Sequence, residues 1–183
     1  MDDGRRALPE RSIEIPPDRP VALLLGVHDR LRTFGRLASS LARPAQAVPS
    51  SPAEVAESSV RLARFFDLAM PIHEADEEET LGTMLPKRSP ELVDALRVMK
   101  EQHRHLHEIL DELRPHWEML SRDPEAIGSE PWDLRSAGRR LDAVLRVHLA
   151  LEENVVFPVV DRLDEAFQEQ LRAELWRRRQ GAR

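Results

Sequence analysis

Apolar residues return at steps of three and four through four long stretches of this chain. The first stripe holds Leu24, Leu25, His28, Leu31, Gly35 and Ala38, and the second Phe66, Ala69, Met70, His73, Glu77 and Leu81. The third runs through Leu92, Leu96, Met99, His103, Leu106, His107, Leu110 and Leu113. The fourth runs through Leu141, Val144, Leu145, His148, Leu151, Glu152, Val155 and Val156. This is the period of a helix with one buried face, and no alternating stretch of useful length predicts a strand.

Prolines punctuate the pattern. Helix one is expected from about Pro17, and the segment from Arg43 to Pro52, with three prolines, ends it. Helix two is expected over Pro52–Met84, with Ser51 as N-cap, Pro52 at the first helical position and Glu54 in the first turn. Pro71 should kink it or loosen one turn. Helix three starts near Ser89 and Pro90 and runs to about Leu120, with Pro115 disturbing its last turns. Residues 121–131 form a linker, helix four spans about Pro131–Val160, and an amphipathic tail follows from Leu163 to Arg179. Helices of 25–32 residues would be about 40–48 Å long. Short connections make neighbours antiparallel, so the expected fold is all-α: an up-down-up-down four-helix bundle (residues 17–180) with a short C-terminal helix. Residues 1–16, polar and without period, read as a flexible N-terminal segment.

Composition narrows the chemistry. The 183 residues suffice for one domain with a core, and 33% charged with 41% hydrophobic residues fits long solvent-faced helices. The net charge of -6, with no basic face interleaved with aromatics, excludes a nucleic-acid groove. Arg177, Arg178 and Arg179 read as a solvated helix end complementing the dipole. Cysteine is absent, which removes disulfides, iron-sulfur clusters, thiolate zinc sites and Cys nucleophiles; tyrosine is absent too, so no tyrosyl radical can form. The apolar run Val21–Val27 is too short to span a bilayer and lacks a cleavage site after it. The expectation is a soluble, cytoplasmic protein without a membrane partner.

Seven histidines are present, and four of them, His28, His73, His103 and His148, fall one per helix on the apolar stripe. A lone His on such a stripe is most often a hydrogen-bonded core residue. One on every helix is different, because a bundle brings all four stripes to one axis, where unpaired polar groups cost kilocalories each. Three of the four have a polar partner four residues on, on the same face: Glu77 after His73, His107 after His103, and Glu152 after His148. The seven candidate metal ligands are therefore His28, His73, Glu77, His103, His107, His148 and Glu152. Seven donors exceed a tetrahedral zinc and suit two six-coordinate ions, with both carboxylates bridging and the histidines split three and two. Imidazole with carboxylate favours iron, with other borderline metals in competition. An open position on the second metal would take dioxygen, nitric oxide or peroxide.

Other motifs fit less well. No histidine has an acid three residues before it, as ferritin-like di-iron bundles require, and the second histidine of His-Glu-x-x-His is replaced by Glu77. His105 and His116 read as solvated. Of the five acids between Glu74 and Glu79, only Glu77 is expected to face inward, the others forming a wet rim. Glu78 and Glu153 are the alternatives to Glu77 and Glu152.

In this order, His28, His73-Glu-Ala-Asp-Glu77, Glu101-Gln-His103 and His148-Leu-Ala-Leu-Glu152 resemble the hemerythrin HHE cation-binding domain over roughly residues 20–180. The Glu-Glu-Asn-Val-Val-Phe-Pro run after His148 and the Arg-rich tail add to the likeness. The pair His103 and His107 is similar to the third helix of oxygen-carrying hemerythrins. The fourth helix departs from them, with Glu152 at four and Glu153 at five after the His, where the carriers have Asp at five. The iron-sulfur repair relatives carry a Cys-bearing region that this chain lacks. The resemblance implies two iron ions joined by an oxo or hydroxo bridge, and a protein that binds or senses dioxygen, nitric oxide or peroxide. An enzyme consuming peroxide or nitric oxide and a metal-stabilised interaction module are the alternatives. No acid-base relay is evident beside the stripes, which favours a binder over an enzyme.

Overall fold

The computed structural model describes residues 19–41, 51–128 and 132–181, all without a strand. The expected flexible segment 1–16, the start at Pro17, residues 43–50 of the first proline-rich connection and the start at Pro131 lie outside these. Helix α1 is Pro20–Leu41. Helix α2, Pro52–Leu68, begins as its sequence predicts: the Ser51 hydroxyl accepts from the Glu54 N–H while the Glu54 carboxylate accepts from the Ser51 N–H.

Pro71 has a local effect. The path breaks at Ala69 and resumes as α3, Met70–Ala75, with Pro71 in its first turn, where a missing N–H costs nothing. A π-helical stretch follows over Asp76–Leu81, then α4, Gly82–Met84. Single 3₁₀ turns at Leu85–Lys87 and Pro90–Leu92 lead into α5, Val93–Arg122. The expected end near Leu120 holds within two residues, and the disturbance expected at Pro115 is absent: α5 continues unbroken for seven further residues to Arg122. The buried anchors Leu113, Trp117 and Leu120 on either side of it hold the helix where intrinsic propensity would not. Helix α6 is Trp132–Leu151; it runs into a second π-helical stretch, Glu152–Val156, and α7, Phe157–Val160. Helix α8 is Glu165–Gly181.

Cross-helix pairs fix the directions. Along α1 and α6 the partners run from Arg32 with Glu153 to Gly35 against Asp142 and Leu145. Between the α2–α3 arm and α5 they run from Asp67 with Arg114 to Glu78 with Lys100. His148 meets Gln102 while Arg140 meets Glu112, and Phe34 stacks on Phe65 while His28 meets His73. Every neighbouring pair is antiparallel, giving the up-down-up-down bundle.

Two apolar clusters fill its axis. One, built around Leu31, Phe66, Leu110, Leu113, Trp117 and Leu141, occupies one end. The other, with Leu24, Leu81, Met99 and Val156, occupies the opposite end, and α8 closes over it with Phe167, Leu171 and Leu175. Each of the four long paths crosses from one cluster to the other at a histidine. A polar layer thus divides the core, and it must be satisfied from within. No helix among the described residues is long and apolar enough to cross a membrane.

Candidate metal centre

Four histidines and two glutamates converge in this layer. His28, Glu77, His148 and Glu152 are wholly buried, and His73 and His103 are nearly so. Donor atoms of His28, His73, Glu77 and Glu152 lie within 4.8 Å of one another, as do those of Glu77, His103, His148 and Glu152. The two carboxylates belong to both groups. The arrangement is thus two imidazoles per group around a shared pair of carboxylates, not the three-and-two split expected from five histidines.

His107 is the residue the structure does not bring in. Its side chain is 44% exposed and pairs with Glu74 at 2.9 Å. It shares a face with His103, but it lies about one turn along α5, where the antiparallel neighbour offers Glu74 instead of the layer. His105 is also outside, half exposed and 3.2 Å from Glu108, and His116 sits part-buried on α5.

Both acids arise from the same local device. A π turn accommodates one more residue than an α turn, and here the bonds that mark it run from the Gly82 N–H to the Glu77 carbonyl and from the Phe157 N–H to the Glu152 carbonyl. In a regular α-helix, positions four and five after a histidine differ by 100°, and the fifth points roughly 140° away from it. The wider turn lets consecutive acids serve the same layer. Glu77 and Glu152 point to its centre, and Glu78 and Glu153 reach around to its rim. Glu78 Oε1 lies 2.9 Å from His103 Nδ1, and Glu153 Oε1 lies 2.8 Å from His28 Nδ1. Each rim acid is held in turn by a cation, Glu78 by Lys100 at 3.1 Å and Glu153 by Arg32 at 2.5 Å. Gln102 Oε1, 3.2 Å from His148 Nδ1, is the third such partner. These contacts fix three of the four rings and aim Nε2 of His103, His28 and His148 at the centre, as outer partners of metal-ligating histidines do, whereas His73 Nδ1 is buried without a hydrogen-bond partner. From sequence, Glu78 and Glu153 are only substitutes for their neighbours, and Gln102, Arg32 and Lys100 carry no signal. Position five after each His-x-x-x-Glu histidine was the one available signal.

The centre-facing atoms carry the test of fit. Nε2 of His28, His73 and His148, Oε1 of Glu77 and both carboxylate oxygens of Glu152 are buried without a hydrogen-bond partner. His28 Nε2 does lie 3.1 Å from Glu152 Oε2, and His73 Nε2 lies 3.1 Å from Glu77 Oε1, but neither contact has hydrogen-bond geometry. Only His103 Nε2 bonds across the centre, to Glu77 Oε2 at 3.1 Å. Six lone-pair donors aimed at one another in an apolar interior are costly alone and are satisfied by cations between them. His/carboxylate donors suit first-row transition metals.

Protonation follows from burial. Without a metal, burial pushes Glu77 up to about 7, and burial with the nearby Glu77 charge pushes Glu152 up to about 8. Burial and neighbouring histidines hold His73 and His148 well below the ordinary imidazole value. Burial also opposes charge on His103, but its hydrogen bonds and charge contact with Glu77 and Glu78 outweigh it and raise the group to about 9. Below pH 6.5 the glutamates and the two lowered histidines act in opposite directions. Above it, Glu77, Glu152 and His103 all keep protons in the fold that the unfolded chain has lost. The metal-free protein should therefore lose stability steadily between about pH 6.5 and 9. Metal binding requires deprotonated ligands, so the metal-loaded protein should show the opposite trend or none. Denaturant melts at three pH values, with and without chelator, check this; a flat metal-free profile contradicts it.

A family model described as Hemerythrin HHE cation binding domain matches residues 19–160. No curated protein and no solved structure gives a match.

Proposed function

The chain belongs to the hemerythrin HHE cation-binding family, and from that premise we propose that it is a non-haem di-iron protein that binds or senses dioxygen, nitric oxide or peroxide. The observation that carries this reading is the pair of four-residue donor sets sharing Glu77 and Glu152, with their inward atoms otherwise unpartnered. On this reading His28 and His73 would hold one iron and His103 and His148 the other, with Glu77 and Glu152 available to both. Bound iron would supply electrons and coordination positions for a small ligand. With four protein donors in each group, a bound ion would keep positions free for a small ligand. The chain's own part is to orient the imidazoles of His28, His103 and His148 through Glu153, Glu78 and Gln102, and to exclude bulk water with the two apolar clusters.

One observation favours the enzymatic alternative. The linked groups His103, Glu78 and Lys100, and His28, Glu153 and Arg32, run from the buried centre to part-exposed acids and cations. Burial would raise both acids. Hydrogen bonds from His103 and Lys100 hold Glu78 below its usual range, and those from Arg32 and His28 do the same for Glu153. They stay ionised beside a histidine and could accept a proton from its Nδ1, the relay not evident in sequence.

Spectroscopy separates the readings. Protein loaded anaerobically with Fe(II) and exposed to air should develop a lasting visible absorption band if it is a binder. Sustained loss of added peroxide or nitric oxide with no lasting band supports the enzyme. No spectral change and no turnover would contradict both.

A further inference from the structure

The geometry points to Arg178 and Arg179 of α8 as positioning residues of the metal centre, coupling the docking of this helix to metal affinity. The inference rests on the metal-binding reading above. It concerns a helix beyond the 19–160 region that the family model matches. The two arginines do not form the solvated helix end that the charge pattern predicts; of the three, Arg177, 68% exposed and paired with Glu174, fits that description.

Asp76 is wholly buried and sits one residue before Glu77, at the first position of the π-helical stretch. Arg178 Nε donates to Asp76 Oδ1 at 3.1 Å, and Arg179 Nη1 lies 2.7 Å from Asp76 Oδ2. Arg178 also donates to Thr80 Oγ1 at 3.1 Å and to Glu79 Oε2 at 2.6 Å. One guanidinium thus grips three residues of the six-residue stretch that presents Glu77. Arg179 is itself anchored to the Leu175 carbonyl at 2.8 Å, one turn back on α8.

A π turn has poorer intrinsic stability than an α turn and persists where tertiary contacts hold it. An ionised Asp76 without its arginines would be an unpaired charge in an apolar interior. Turning Asp76 out to solvent would relieve that, and would displace the adjoining Glu77 from the layer centre. A rim acid restrains both π-helical stretches, Glu78 through His103 and Lys100 and Glu153 through His28 and Arg32, and the arginines of α8 add their grip to the first. The shared ligand Glu77 therefore depends on α8, whereas Glu152 is held from within the bundle. Coupling of this kind is reciprocal: if docked α8 favours metal binding, bound metal favours docked α8.

The test uses the full chain, wild type and Arg178→Ala/Arg179→Ala, with Fe(II) added anaerobically against a competing chelator. The double variant should bind Fe(II) about 10-fold more weakly, the low end of the range for lost outer contacts, because the arginines act on Glu77 through Asp76, Glu79 and Thr80. Arg178→Lys/Arg179→Lys should recover part of that loss. In the wild type, Fe(II) should slow hydrogen exchange of the amides of residues 165–181. A purely structural role would lower the melting temperature of the Ala variant and leave its Fe(II) affinity unchanged, which would overturn the proposal. Unchanged exchange of α8 on loading the wild type would overturn it too, and this arm decides the matter if the Ala variant does not fold. Wild type that takes up no Fe(II) defeats the metal reading and this inference together. Wild-type uptake with an equally avid variant defeats only this one.

Discussion

Glu77→Gln should empty both halves of the centre and at the same time stabilise the metal-free protein at pH 8. Glu77 is in both donor groups, so its loss removes a charged ligand from each metal at once. The affinity of both positions should fall by more than about 100-fold, beyond the range seen for outer contacts. Stability should move the other way. Burial raises the Glu77 carboxyl to about 7, so its stabilising effect is present at low pH and lost as pH rises through that value. At pH 8 the metal-free chain must hold an ionised carboxylate in an apolar interior, and Gln removes that cost. His103 keeps Glu78 but exchanges a charged acceptor across the centre for a neutral one, so the net gain should be about 1 kcal/mol, or about 2–4 °C in melting temperature for a chain of this size. Elemental analysis and chelator-treated melts at pH 8 measure the two effects. A variant that keeps its metal, or melts lower at pH 8 without it, contradicts the account.

His148→Ala should act on one half only. His148 belongs with His103 to one donor group, and His28 and His73 form the other around the same two carboxylates. Removing it leaves one imidazole in its half and the opposite half complete. The expected metal content is about one ion per chain, with a lower melting temperature for the loaded protein because ligation contributes to folding. Chelator should narrow the difference from wild type. His28→Ala should reproduce the stoichiometry from the other side. His107→Ala should leave the metal content at the wild-type value, since that residue pairs with Glu74 at the surface. Full occupancy in His148→Ala, or loss in His107→Ala, would show that the histidines are wrongly partitioned.

The contrast between these histidines marks what the sequence can carry. A histidine on the buried stripe of each helix was legible, because helical period fixes which face a residue occupies. Which turn of that face meets a given neighbour depends on the height at which antiparallel helices pack, and no single helix encodes that. His107 was misplaced for this reason. The π turns left no mark in the residue pattern, since every position in Asp76–Leu81 is compatible with an α-helix. Their consequence was therefore missed: Glu78 and Glu153 support histidines, while Glu77 and Glu152 occupy the centre. The acid run illustrates the same limit. Charge alone predicted a wet rim, yet Asp76 is wholly buried and Glu74 mostly so, because Arg178, Arg179 and His107 arrive from helices distant in sequence. Pro115 was read from propensity, and the packing of Trp117 and Leu113 overrides it. The helix boundaries at Pro52 and Met84 were legible because local capping and proline chemistry set them.

The central claim is a two-metal centre built on two shared carboxylates, and its most direct test is the iron-to-protein ratio of protein purified without added metal. The account predicts a ratio near two, falling toward one in His148→Ala and toward zero in Glu77→Gln. A wild-type protein with no bound iron, and a melting temperature indifferent to chelator and to added Fe(II), would contradict it.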